Sequence, residues 1–256
     1  NEDGIFQDNN WMMWRVRDPE LSDHPYADGK WRMMLFDSDY SSDVYGDGRN
    51  YTRNNITGSL LDVEYEDYTL GDLACKLMES PQFRQELILS LSDIRNLYFT
   101  DDNCKKLLQE MTASYKPYVN DTFLRFGPTW VAKWSLDNHY TNNLHVLETF
   151  FQGRYDHFPE IVARAFGLDT PVNVNIKISG QGSVVLNNRD DKAFRTTLAA
   201  KCFSEYPLYL TAVPDEGATF VGWEVNNEKV ATISDPSALS TEVTFTNSFA
   251  ITAVFE

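Results

Sequence analysis

Apolar positions along the 256-residue chain change their period twice. In residues 1–68 they come in two short runs, Trp11 to Val16 and Trp31 to Phe36. Turn formers bound both runs, Asp18-Pro19 after the first and Asp28-Gly29 before the second. Met12, Trp14 and Val16 alternate, as do Met33 and Leu35, which predicts two strands joined by a long connection. From Ser38 to Asn55 the chain is mostly Ser, Asp, Gly and Asn and reads as loop.

Residues 69–168 take a helical period. Leu70, Leu73, Leu77 and Met78 follow Thr69, with Asp72 at the capping-box position. Ser80-Pro81 breaks the chain and restarts it, because proline suits a first helical turn. Phe83, Leu87, Leu91, Ile94 and Leu97 predict the next helix. Leu107, Leu108 and Met111 predict a third, closing near Lys116-Pro117, and Val131 with Trp134 a short fourth after Pro128. Leu144, Leu147, Phe151, Phe158, Ile161 and Ala165 complete a set of about five, ending at Gly167.

Beyond Pro171 the period is two. Val172, Val174, Ile176 and Ile178 alternate with polar residues, and Gly180-Gln181-Gly182 turns into Val184 to Leu186. Further strands are predicted at 208–213, 219–224, 228–233, 242–246 and 250–255, with Pro214-Asp215-Glu216-Gly217 as a turn. The expected class is α+β: a mainly helical lobe over 1–168 with a short β-hairpin, then a small all-β domain over 171–256.

Charge narrows the functions. The chain has 22 basic and 38 acidic residues, a net charge of −16. A phosphate backbone needs a basic footprint, so nucleic acid is not an expected partner. No apolar run approaches the roughly 18–20 residues of a membrane span. Residues 1–72 carry 16 acidic against 6 basic side chains, and carboxylates gathered in this way serve either as a solvated face or as ligands for a divalent cation. Cys75, Cys104 and Cys202 match no metal spacing. The chain begins at Asn1 without a leader and reads as a processed or excised piece.

Asn1-Glu2-Asp3 and Asp8-Asn9-Asn10 precede the first predicted strand, and Asp37-Ser38-Asp39 follows the second. A hairpin brings its open ends together, so the clusters can face one another. An Asp, Asn and Asp set has a definite use: one carboxylate orients a hydroxyl nucleophile and takes its proton, while the Asn oxygen and the other carboxylate hold magnesium on a nucleotide's phosphates. The same residues also serve as plain turn formers at strand ends, and composition does not separate the two. Asp37, Asp39, Ser41 and Asp43 alternate like an EF-hand loop, but Ser42 and Gly48 stand where that motif needs Gly and Glu.

The stretch N-x-D, then N-N-W-x-x-W-R, then G-K-W-R-x-x-L-F-D-x-D resembles the core of the CotH family of atypical protein kinases, named for a bacterial spore-coat kinase. The likeness continues through TLGDLACKLMESPQF (Thr69 to Phe83) and LETFFQGR (Leu147 to Arg154). It implies that Asp3 positions the substrate hydroxyl, that Asn10, or Asn9 beside it, binds the metal, and that Asp37 binds it too with Asp39 in support. Asn10 and Asp37 would thereby hold Mg2+ and ATP. Trp14, Arg15, Trp31 and Arg32 look structural, with buried rings and guanidinium groups paired to acids, and Lys30 reads as an exposed turn lysine. The gap from Asp3 to Asn10 is two residues longer than the family pattern, which makes Asp8 a rival for the catalytic place. The family also needs an upstream lobe with a phosphate-covering loop, so weak or absent ATP binding is expected of this piece alone.

G-Q-G-S-V, L-T-A-V-P-D-E-G-A-T-F-V-G-W and I-T-A-V-F-E resemble small β repeats of bacterial surface proteins, including the divergent internalin-type repeat. There Phe220 and Trp223 would fill the core. The function implied is magnesium-dependent transfer of the ATP γ-phosphoryl group to Ser or Thr of a protein substrate, in an extracytoplasmic or cell-surface setting such as the spore coat. The competing expectation is a non-enzymatic surface scaffold that binds glycan or a protein through the β module, with Tyr206 and Tyr209 as the aromatics to inspect.

Overall fold

The computed structural model describes residues 11–256 apart from 22, 36–40, 44, 58–60, 62–68, 127–135 and 190–191. The fold is α+β, as the change of period predicts. Two compact units divide the chain: Asn1–Glu79 with Tyr118–Gly153, and Ser80–Pro117 with Arg154–Glu256.

In the first unit β1 (Trp11–Trp14) and β2 (Arg32–Leu35) form a two-stranded antiparallel sheet. Trp11 pairs with Leu35, Met12 with Met34, Met13 with Met33 and Trp14 with Arg32. α1 (Thr69–Met78) follows where the helical period begins. The side chain of Asp72 lies outside the described residues, as does the short helix expected around Val131 and Trp134.

Two long helices contribute to both units. α3 (Asp101–Phe126) runs through Pro117 instead of closing there, which corrects the predicted end. The proline costs about 3 kcal/mol locally, which weakens a helix without ending it. α4 (Leu136–Phe166) also contains a proline, the buried Pro159. It ends at Gly167 as predicted, with the Leu168 N–H returning to the Ala163 carbonyl at 2.9 Å.

The second unit begins at α2 (Pro81–Asp93), where Pro81 occupies the first turn and the Ser80 side chain accepts from the Phe83 N–H at 3.4 Å. A π-helical turn, Ile94–Tyr98, follows directly. The β part contains β3 (Val172–Ser179), β4 (Gly182–Leu186), β5 (Leu198–Cys202), β6 (Leu208–Pro214), β7 (Phe220–Val225), β8 (Ala231–Ile233), β9 (Ser240–Phe245) and β10 (Phe249–Phe255). They build two four-stranded sheets, in the orders β5-β3-β10-β7 and β4-β6-β9-β8. β3 and β10, distant in sequence, pair in parallel. The other ladders are antiparallel.

Alternation explains the packing. Val174 and Ile176 of β3 are fully buried while Asn173, Asn175 and Lys177 face outward. They join Val184, Leu186, Leu210, Val243, Ile251 and Trp223 in one core. Trp223 and Phe220 meet edge to face at 5.4 Å, as expected of core aromatics. β5 has no counterpart among the predicted strands, since Leu-Ala-Ala-Lys-Cys carries little β-propensity. The crossing from β3 to β4 depends on Gly180, which has φ +95°, and a Cβ there would fall 2.0 Å from the Phe255 carbonyl oxygen.

Candidate functional site

The hairpin is the scaffold of the predicted site, and its register brings Arg32 opposite Trp14. The Arg32 guanidinium lies over the Trp14 ring at 5.6 Å and over the Tyr26 ring at 4.8 Å. It also donates to both Asp28 carboxylate oxygens, at 2.8 and 2.9 Å, in a bidentate pair. That bond, helped by the Lys30 N–H at 3.1 Å, holds the Asp28 carboxyl well below the usual range. Arg32 therefore ties the long connection back onto the strands.

The expectation of buried rings needs correction. Trp14 is 37% and Trp31 59% exposed. Arg15 rests on the Trp31 ring at 5.0 Å, an aromatic partner where an acid was expected. The four described pairs of the hairpin leave both rings partly in solvent. Lys30 is an exposed turn residue, its Nζ 3.6 Å from Asp28.

Asp3, Asn9, Asn10, Asp37 and Asp39 all lie outside the described residues, as does the rival Asp8. What the hairpin contributes is connectivity. Trp11 pairs with Leu35 at the limit of the described residues, so the chain enters at Trp11 and leaves at Leu35 from one residue pair.

The acidic loop beyond them has a structural centre. Asp43 accepts from the Gly48 N–H at 2.9 Å, the Asn50 N–H at 3.4 Å and the Asn50 side-chain amide at 2.8 Å. Partial burial works to raise its pKa, but these bonds prevail and the carboxyl is lowered overall. Gly48 is the point where this loop meets α4. At φ +80°, a Cβ would stand 2.4 Å from the Val146 carbonyl oxygen. Asp43 thus closes the loop upon itself. Among the described residues no group of three or more His, Cys, Asp or Glu is arranged to hold a metal.

The second unit has a polar cluster that the sequence reading missed. Asp93 is 1% exposed, and it accepts from the Asn187 side-chain amide at 2.9 Å and from Arg189 Nε at 3.1 Å. Arg189 also donates to the Ser90 hydroxyl. Burial pushes the Asp93 carboxyl up to about 6, and the bonds from Asn187 and Arg189 offset only part of that rise. Ser90, Asp93 and Arg189, with Ile94, Tyr98 and Phe99, line an open cleft of about 430 Å3. The available signal was an acid in an apolar helical stripe: Leu89, Asp93 and Leu97 recur at intervals of four and are all buried.

Cys75, Cys104 and Cys202 form no disulfide, and burial raises the thiols of Cys104 and Cys202. Tyr206 and Tyr209 are half-buried, and Gln85 Nε2 donates to the Tyr209 hydroxyl at 3.3 Å. Among the described residues no helix is long and apolar enough to cross a membrane.

Residues 1–158 match the model of the CotH kinase protein family, and the chain belongs to that family. Residues 201–256 match the divergent InlB B-repeat domain. No curated protein and no solved structure matches the chain significantly.

Proposed function

We propose that the protein acts, in its complete polypeptide, as a protein kinase that transfers the γ-phosphoryl group of ATP to a Ser or Thr hydroxyl. Residues 1–168 form the kinase-like lobe of this reading and residues 171–256 its β module. The observation that carries it is the pairing of Trp11 with Leu35, within the stretch that matches the kinase family. On this reading the segments bearing Asn9-Asn10 and Asp37-Ser38-Asp39 would both start from that residue pair.

The donor set is all oxygen, which suits a hard cation such as magnesium. Asn10 and Asp37 would hold it, with Asn9 and Asp39 beside them. A magnesium ion so held neutralises charge on the nucleotide phosphates. Asp3 accepts a hydrogen bond from the substrate hydroxyl and takes its proton as the oxygen bonds to the γ-phosphorus and ADP departs. Catalysis then rests on positioning and charge, with no covalent step on the protein. The pairing of a CotH lobe with an InlB-type repeat favours an extracytoplasmic or surface location.

Asp37→Ala in the complete protein should lower phosphotransfer to a protein acceptor by roughly 10²–10³-fold or more. Unchanged turnover would remove Asp37 from the mechanism. If calorimetry of the complete wild-type protein with magnesium and ATP gave no heat, the phosphotransfer reading would fall with it.

A further inference from the structure

The β module is held by the helices that precede it, through contacts resembling a domain core more than a tether. We propose that Ser80–Pro117, Arg154–Phe166 and the β sandwich open as one cooperative unit, with Asn96 acting as a surrogate strand on the edge of β5. This inference does not depend on phosphotransfer.

β5 is an outer strand of its sheet, and an outer strand presents unpaired N–H and C=O groups. The Asn96 side chain meets both groups of Lys201. Its Oδ1 accepts from the Lys201 N–H at 3.0 Å, and its Nδ2 donates to the Lys201 carbonyl at 3.0 Å. This is the two-bond pattern that a neighbouring residue exchanges in an antiparallel ladder. The π-helical turn brings Asn96 there, and the next residue, Leu97, enters the sandwich core.

Asn96 is itself held. Arg95 donates to its Oδ1 at 3.1 Å and to the Tyr155 carbonyl of α4 at 3.3 Å, with its guanidinium 3.9 Å over the Tyr155 ring. Arg84 donates to the Phe166 carbonyl, which binds α2 to the end of α4. At the other end of the clamp Asp93 grips Asn187 and Arg189 in the turn after β4. Asn187 holds a left-handed backbone, φ 48°, and its Oδ1 accepts from the Tyr209 N–H at 3.1 Å. Both sheets are therefore gripped by one helical segment. Opening either partner would leave buried polar groups of the other unpaired.

Native-state hydrogen exchange on the full chain tests this through Ile251→Val, a mild change at a fully buried site in β10. Exchange of the slowest β10 amides should rise roughly 2- to 10-fold. The Ile88 and Leu89 amides of α2 should rise by the same factor. Acceleration in β10 with α2 unmoved would overturn the proposal. In Asn96→Ala the Lys201 amide should lose at least about tenfold of its protection; an unchanged Lys201 would refute the surrogate-strand role. If that variant does not fold, Asn96→Asp, which keeps the acceptor for the Lys201 N–H and loses the donor to its carbonyl, should keep the Lys201 amide protected, and loss of that protection would refute the surrogate-strand role.

Discussion

Two aspartate–arginine pairs, one in each compact unit, show how far environment outweighs residue type. Asp28 and Arg32 sit on the hairpin, and the Arg32 bond lowers the Asp28 carboxyl. Asp93 and Arg189 sit under the β sandwich, and burial raises the Asp93 carboxyl despite a like bond. The partners are chemically the same. Water still solvates the hairpin pair, so the arginine adds to a charge that is already stable. Asp93 has given up that water and must be ionised against the protein interior. The hairpin pair shapes a surface loop; the buried pair helps decide whether a domain holds together.

Truncation of each arginine breaks the comparison most directly. Arg189→Ala should destabilise the second unit by about 3–5 kcal/mol, because it strands a buried carboxylate. The same change at Arg32 should leave the urea midpoint nearly in place, since exposed pairs contribute little. Equal shifts at the two sites would erase the distinction.

Titration sharpens it. Burial lifts the Asp93 carboxyl to about 6 in the folded state, against about 3.9 for an ordinary aspartate. The native state therefore holds more protons between those values, and stability falls as pH rises through that window. Its contribution amounts to about 3 kcal/mol across the full shift. Asp93→Asn should flatten this slope in urea titrations between roughly pH 4 and pH 6. Asp28 has the opposite sign: its stabilising effect is present above the ordinary carboxylate pKa and is lost only as pH falls below it. A slope that survives in Asp93→Asn would assign the effect to other groups.

The smallest of these effects belongs to the acidic loop. Gly48→Ala should cost about 1–3 kcal/mol through the left-handed backbone and the clash with Val146. A thermal melt of the full chain would show it, and an unchanged melt would mean that the loop does not rest on α4.

Much of the fold was legible because local periods carry it. Alternation marked β3, turn residues separated the predicted strands that became β6, β9 and β10, and Ser80-Pro81 announced α2 through a cap that the Phe83 N–H completes. β5 was missed because its strand character comes from β3 on one side and Asn96 on the other. Pro117 was misread as a stop, since proline weakens a helix without forbidding it. The exposed indoles were misread as well: a Trp-Arg pattern does not say whether enough protein surrounds it to bury the ring. Of the candidate site, the sequence supplied the Asp and Asn clusters on either side of two short strands, and the register added that Trp11 pairs with Leu35.

Residue order by itself determined the element types, the kinase family and the oxygen-rich character of the candidate site. These depend on spacing between near neighbours and on side-chain chemistry, both written directly in the chain. Only tertiary structure decided that Asn96 would complete a sheet edge 105 residues away, or that Asp93 would meet Arg189 across 96. Such partners are selected by burial, which strips water from a polar group and makes one particular distant neighbour necessary. No local period encodes that requirement.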